Sequence, residues 1–203
     1  MQAAIDLAAR LAALPGQRIL AAIAGPPAAG KSTLARATAT ALGEIGEDAA
    51  VLEMDGFHLD NALLDARGLL PRKGAPETFD VRGFHAAVTR LRAGGEVILP
   101  RFDRSREVAI AGAVAVPPET RIVLAEGNYL LLDEAPWRGL ANLWDITVFL
   151  DVSEDELTRR LTLRWQDHGY DDIAARARID ANDLPNARRV LSRRLPADIT
   201  LAD

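Results

Sequence analysis

Cysteine is absent from the 203 residues, which excludes disulfide frameworks, cysteine-based zinc sites and thiol nucleophiles. Lysine is almost absent: of 24 basic residues only Lys31 and Lys73 are lysine, and 22 are arginine. No run of about 18 or more apolar residues occurs, so there is no candidate membrane span. The leading segment, Met1 to Leu14, carries Asp6 and Arg10 and has no basic stretch; it reads as an amphipathic helix and not as a secretion signal. A dominant basic face is lacking too. The net charge of −5 and a pI of about 5.3 argue against a general nucleic-acid binder. These absences predict a cytoplasmic protein without membrane or nucleic-acid partners. Where an arginine-biased chain still uses lysine, the position is expected to be one at which an ammonium is not exchangeable for a guanidinium.

What is present describes an ordinary folded chain, 49% hydrophobic and 26% charged, of a length that fits one domain over 1–203. Helical periodicity over the first segment stops at Pro15-Gly16. Short apolar runs at 18–24, 49–54, 121–125 and 146–150 predict buried strands, with shorter candidates at 97–99 and 199–201. Helices are predicted at 31–42, 81–93, 172–181 and 187–195. Another opens at the Ser153/Glu156 capping pattern and runs to about His168. The segment 68–80 reads as an ordered Gly/Pro loop, and 102–120 as a small hairpin. Strands alternating with helices predict an α/β protein, with a mainly parallel central sheet covered on both faces.

Gly25-Pro26-Pro27-Ala28-Ala29-Gly30-Lys31-Ser32-Thr33 contains the pattern G-x-x-x-x-G-K-[ST], directly after a predicted buried strand and opening a helix. Small residues let successive backbone N–H groups converge on a phosphate at the positive end of the helix. Lys31 supplies a compact ammonium to the β- and γ-phosphates, and the Ser32 hydroxyl is a ligand for Mg²⁺. The pattern predicts a three-layer α/β/α P-loop NTPase fold binding a nucleoside triphosphate.

Ligands of open α/β sheets bind at the carboxyl ends of the strands, where Asp55 and Glu126 stand. One carboxylate there serves as proton acceptor for an attacking hydroxyl, and another holds Mg²⁺ or its water shell. Strand capping or pairing with a nearby arginine is the plainer alternative for each. Arg160 and Arg164, four apart, share one face of the helix after Ser153, with Arg159 one step round. From Arg159 to Arg194 nine arginines face five acids, which describes either solvated helices or a local anion-binding surface.

The segments Asp55-Gly56-Phe57-His58, Arg72-Lys73-Gly74-Ala75-Pro76-Glu77-Thr78-Phe79-Asp80 and Glu126-Gly127-Asn128-Tyr129 resemble the phosphoribulokinase/uridine kinase family. Within it the chain looks most like bacterial nucleoside/nucleotide-kinase-like proteins, sometimes labelled fructose transport system kinases. Type I pantothenate kinases are similar at greater distance. The resemblance covers about Ile19 to Arg194, and it implies Mg²⁺- and ATP-dependent transfer of a phosphoryl group to a hydroxyl of a small metabolite. It assigns the general base to Asp55 and catalytic roles to Lys31, Arg160 and Arg164, the arginines belonging to a helical lid at approximately 159–186. Arg72 and Lys73 fall on its acceptor-side segment, although an exposed loop charge is the plainer reading of Lys73.

His58, Asn128 and, by a looser match, Asp103 and Arg104 are further acceptor candidates, with Glu126 at the boundary between acceptor and metal. Asn182 to Asn186 reads either as part of the lid region or as a helix-starting turn. The acceptor itself — sugar, nucleoside, pantothenate-like acid or phosphosugar — stays open, as does assembly into a homodimer. A GTP switch would want an N/T-K-x-D motif, which the two lysines do not provide. An ATP-sensing module without acceptor phosphorylation is the remaining alternative.

Overall fold

A computed structural model describes residues 1–202. Helix α1 (Gln2–Ala12) buries Ala4, Leu7, Ala8 and Leu11, a single stripe at helical spacing. Strand β1 (Ile19–Ala24) follows, then α2 (Lys31–Glu44) and β2 (Ala49–Glu53). A short α3 (Asn61–Ala66) leads through two single-turn 3₁₀ segments to α4 (Val81–Ala93). Strands β3 (Val97–Asp103) and β4 (Val108–Val116) form an antiparallel hairpin. The chain then returns to the main sheet with β5 (Ile122–Gly127) and β6 (Ile146–Asp151). Three helical segments follow, α5 (Glu154–Asp167), α6 (Asp172–Arg178) and α7 (Leu184–Ser192), before β7 (Ile199–Ala202).

The main sheet has the order β2-β5-β1-β6-β7, and all its pairs are parallel. Strand β1 is buried along its whole length because both of its faces are covered. Its odd residues Ile19, Ala21 and Ile23 join a core with Leu7, Leu11, Ala35 and Leu42 of α1 and α2. Its even residues Leu20, Ala22 and Ala24 join a second core with Phe84, Val88 and Leu91 of α4, Val97 and Leu99 of the hairpin, and Trp137. The period-two alternation of one strand therefore links three layers. No helix among the described residues is long and apolar enough to cross a membrane.

Two expectations shift in detail. The hairpin begins earlier than the sequence suggests, because β3 extends from Val97 to Asp103. Of the two readings of Asn182 to Asn186, the helix-starting turn is not seen: α6 passes through a π turn at Ile179–Asp183 directly into α7. Asn, Asp and Pro there read as turn formers. The π turn instead lets Ile179 and Leu184 both pack on Leu161 of α5, with Ala28 and Trp165 against them.

Candidate active site

The phosphate-binding loop joins β1 to α2 at the carboxyl edge of the sheet. Gly30 caps α2 at φ 96°, a left-handed conformation that L side chains resist, and Ala28 also has a positive φ of 62°. Alternation of such conformations makes an N–H-lined concavity suited to anions. Lys31 is buried, and its Nζ donates to the Pro26 carbonyl at 2.8 Å. Burial pushes its ammonium down to about 8, against the opposing pull of the Glu126 and Asp55 carboxylates. Beside it, Ser32 Oγ donates to Glu126 Oε1 at 2.7 Å. Burial raises the Glu126 carboxyl, while Lys31 and the Ser32 hydroxyl act the other way.

Ser32 and Glu126 supply hard oxygen donors where the loop would hold phosphates, which fits Mg²⁺. No group of three or more metal-ligating side chains occurs among the described residues, so such an ion would complete its shell with phosphate and water oxygens.

Asp55 lies in a 3₁₀ turn, Met54–Phe57, immediately after β2. The glycine following it is required by packing: a Cβ on Gly56 would sit 2.7 Å from the Pro100 carbonyl oxygen of the hairpin. Asp55 is thus wedged between the main sheet and the hairpin. His58 Nε2 is 3.9 Å from Asp55 Oδ1, and its ring stacks on Phe79 at 4.0 Å. Burial pushes His58 down to about 4, so it is neutral at physiological pH. From the hairpin turn, Arg104 donates from Nη2 to Asp55 Oδ2.

These groups border one cavity of about 780 Å³, which runs from the phosphate loop to the hairpin and under α5–α7. Of the residues predicted from sequence, Pro27, Ala28, Gly30, Lys31, Ser32, Thr33, Asp55, His58, Lys73, Arg104, Glu126, Asn128 and Arg164 line it. Gly25, Pro26 and Ala29 belong to the frame of the loop and are not on its wall.

Three predicted site residues are turned to other work. Arg72 pairs with Glu77 at 2.6 Å and does not line the cavity. Asp103 builds the hairpin turn, accepting from Ser105 N at 3.0 Å, Ser105 Oγ at 2.6 Å and Arg106 Nε at 2.8 Å. Arg160 makes the helical pair with Glu156, 2.7 Å, and its Nη1 donates to the Ala29 carbonyl of the phosphate loop at 3.3 Å. Arg159 also pairs with Glu156 and stays at the surface.

Arg164 differs from both. It faces the cavity, and burial together with the nearby Arg104 charge lowers its pKa, partly countered by Asp183 and Asp55.

Sequence reasoning missed Glu107, Trp165 and Arg178 on the far wall, and the contacts that Asn182 and Tyr129 make. Glu107 binds Lys73, through its carboxylate at 3.2 Å and its carbonyl at 3.1 Å. Trp165 Nε1 donates to Asp183 at 2.8 Å, and Arg178 stacks 4.2 Å over the Trp165 ring. Asn182 Nδ2 donates to the Lys73 carbonyl at 2.9 Å, joining the π turn to the acceptor-side loop. Tyr129 Oη ties that same loop to the end of β5 by donating to the Gly74 carbonyl at 2.6 Å. The indole and phenol were visible in the sequence, but nothing local signals their partners, 18 and 55 positions away.

The chain resembles proteins of known sequence and structure over most of its length. The crystal structure of a candidate fructose transport system kinase from Silicibacter sp. TM1040 superposes with a TM-score of 0.93 at 48% identity, covering 98% of each chain. The uncharacterised protein YggC of Escherichia coli is 36% identical over 187 residues, 91% of this chain and 78% of that protein. A candidate uridine kinase of Schizosaccharomyces pombe, C227.14, is 34% identical over 198 residues, 91% of this chain and 83% of that protein. Residues 20–193 match the phosphoribulokinase/uridine kinase family, and this chain, with its P-loop nucleotide-binding fold, is a member of that kinase family.

Proposed function

We propose that the protein transfers the γ-phosphoryl group of ATP to a hydroxyl group of a small metabolite. The observation that carries this reading is the meeting of Asp55 with Lys31, Ser32 and Glu126 around one cavity. The loop amides and Lys31 hold the β- and γ-phosphates. Asp55 accepts the proton as the acceptor oxygen bonds to the γ-phosphorus, while the bond from that phosphorus to the β,γ-bridging oxygen breaks and ADP leaves. Arg164 comes from the helical segment 159–186 to offset charge on the transferring group. Ser32 and Glu126 are the groups that would hold Mg²⁺, which when bound neutralises phosphate charge. Neutral His58, stacked on Phe79, packs beside Asp55 with its Nε2 3.9 Å from Oδ1.

The test is ADP release from Mg-ATP across sugars, nucleosides, hydroxy acids and sugar phosphates, with Asp55→Asn as the blank. Acceptor-dependent turnover that falls ~10²–10⁴-fold in the variant, with ATP affinity retained, is the expected result. Equal turnover by Asp55→Asn would overturn the assignment.

A further inference from the structure

The acceptor end of the cavity holds two cations, and their contacts bear on what the acceptor is. Arg104 sets its guanidinium on Asp55 Oδ2. Lys73 is held by Glu107 at 3.2 Å. Both cations lie against one ring, with Lys73 Nζ 5.1 Å and the Arg104 guanidinium 5.8 Å from the centroid of Phe102. Lys73, Phe102 and Arg104 all line the cavity, so a ligand bound there can reach both cations. The turn that carries Arg104 is built and not slack: Asp103 accepts from the Ser105 and Arg106 amides and from both side chains, and Glu107 closes it at φ 54°. That turn directs a half-exposed arginine inward, over the carboxylate that the proposed mechanism uses as base.

Arg104 takes one acceptor position of Oδ2 and stands over the carboxylate on the cavity side, where an incoming hydroxyl has to approach. A neutral acceptor offers no charge to replace Asp55 as the partner of that guanidinium. An acceptor with its own oxyanion exchanges one ion pair for another and leaves Asp55 free. We infer that the acceptor is a small hydroxylated oxyanion, a hydroxy carboxylate or a phosphate ester, and that Arg104, with Lys73 beside it, takes its anionic group while Asp55 takes its hydroxyl proton. This rests on the kinase reading above. It adds the class of substrate and makes Arg104 both a specificity residue and the partner of the base that an anionic acceptor replaces.

The experiment compares matched acceptor pairs: hydroxy acids against their amides, and sugar phosphates against the parent sugars. Turnover with Mg-ATP and the shift in Tm with a non-hydrolysable ATP analogue present are read for each, on wild type, Arg104→Ala, Arg104→Lys and Asp55→Asn. The expected result is that oxyanion-bearing members are preferred. Arg104→Ala should raise their KM by about 10- to 100-fold, the worth of a charge-assisted contact, without moving the KM for ATP. Arg104→Lys restores part of the loss, and the preference over neutral partners shrinks in Arg104→Ala because Asp55 is then uncovered.

Carboxylates and phosphate esters are separate arms, so the panel also tells which oxyanion is read. Asp55-dependent turnover of neutral acceptors, indifferent to Arg104, would overturn this inference and leave the kinase reading standing. Turnover that survives Asp55→Asn would remove the kinase reading as well. Oxyanion members that neither turn over nor shift Tm in an Arg104-dependent way would likewise overturn the inference.

Discussion

At the phosphate end of the cavity the binding groups are backbone amides and buried side chains, fixed by a loop of consecutive residues between β1 and α2. At the acceptor end they are side chains that reach across from the hairpin and from the segment around Lys73; Arg104 is half-exposed, and Arg104 and Lys73 are both held in ion pairs. The partners already in place make the difference. Lys31, 7% exposed, donates to the Pro26 carbonyl and has no ion pair within salt-bridge distance among the described residues, so its ammonium is poised for phosphate. Arg104 and Lys73 already have acidic partners, so a ligand must displace existing ion pairs to bind them. One end is preformed for its ligand; the other is selective because it must be rearranged.

The contrast can be broken first at the lid. Arg164→Ala should lower kcat by ~10²-fold, the loss typical of one charge-stabilising donor, because its guanidinium faces the cavity. Arg159→Ala, five positions earlier and paired only with Glu156, should leave kcat unchanged. Steady-state kinetics on both separates the cavity-facing arginine from the surface one; equal effects would refute the distinction.

His58 sharpens the acceptor side. The folded protein keeps it neutral down to about 4, whereas the unfolded chain protonates it near 6.5, so the unfolded state binds more protons between those values. Stability therefore falls as pH drops through that window, by about 3 kcal/mol from this group. Denaturant unfolding at pH 7 and pH 4.5 should show the drop reduced in His58→Gln; an identical drop in both proteins contradicts the assignment.

The phosphate end gives a smaller effect of opposite sense in pH. Lys31 loses its charge above about 8, so the Kd for ATP should be flat below that pH and rise by at most about tenfold per unit above it. Titration calorimetry from pH 7 to 9.5 reads this directly, and Lys31→Ala should remove the inflection.

The same contrast explains what could be read before the structure. The nine residues of the phosphate loop are contiguous, and their chemistry follows from small side chains, backbone geometry and one lysine. The strands were legible because burial on both faces leaves unbroken apolar runs, as in β1 and β5. The contacts that assemble the acceptor wall were not, because Lys73 meets Asn182 and Glu107 only through the fold. Asp103 is instructive: its sequence Asp103-Arg104-Ser105 carries the signature of an Asx turn, and the carboxylate is used on the turn while its neighbour reaches the site. The opening inference about lysine divides along the same line. Lys31 has the chemistry that a guanidinium lacks, whereas Lys73 stands in an ion pair of a kind that arginine makes elsewhere in the molecule.

The central claim is that the γ-phosphoryl group goes to an acceptor hydroxyl under the control of Asp55. Its most direct measurement is a single turnover of γ-labelled ATP with the acceptor that ADP release selects, separating labelled acceptor from labelled inorganic phosphate. Wild type should place the label on the acceptor, and Asp55→Asn should leave it on ATP over the same interval. Label released as inorganic phosphate with or without acceptor, or transferred as fast by Asp55→Asn, would contradict the account.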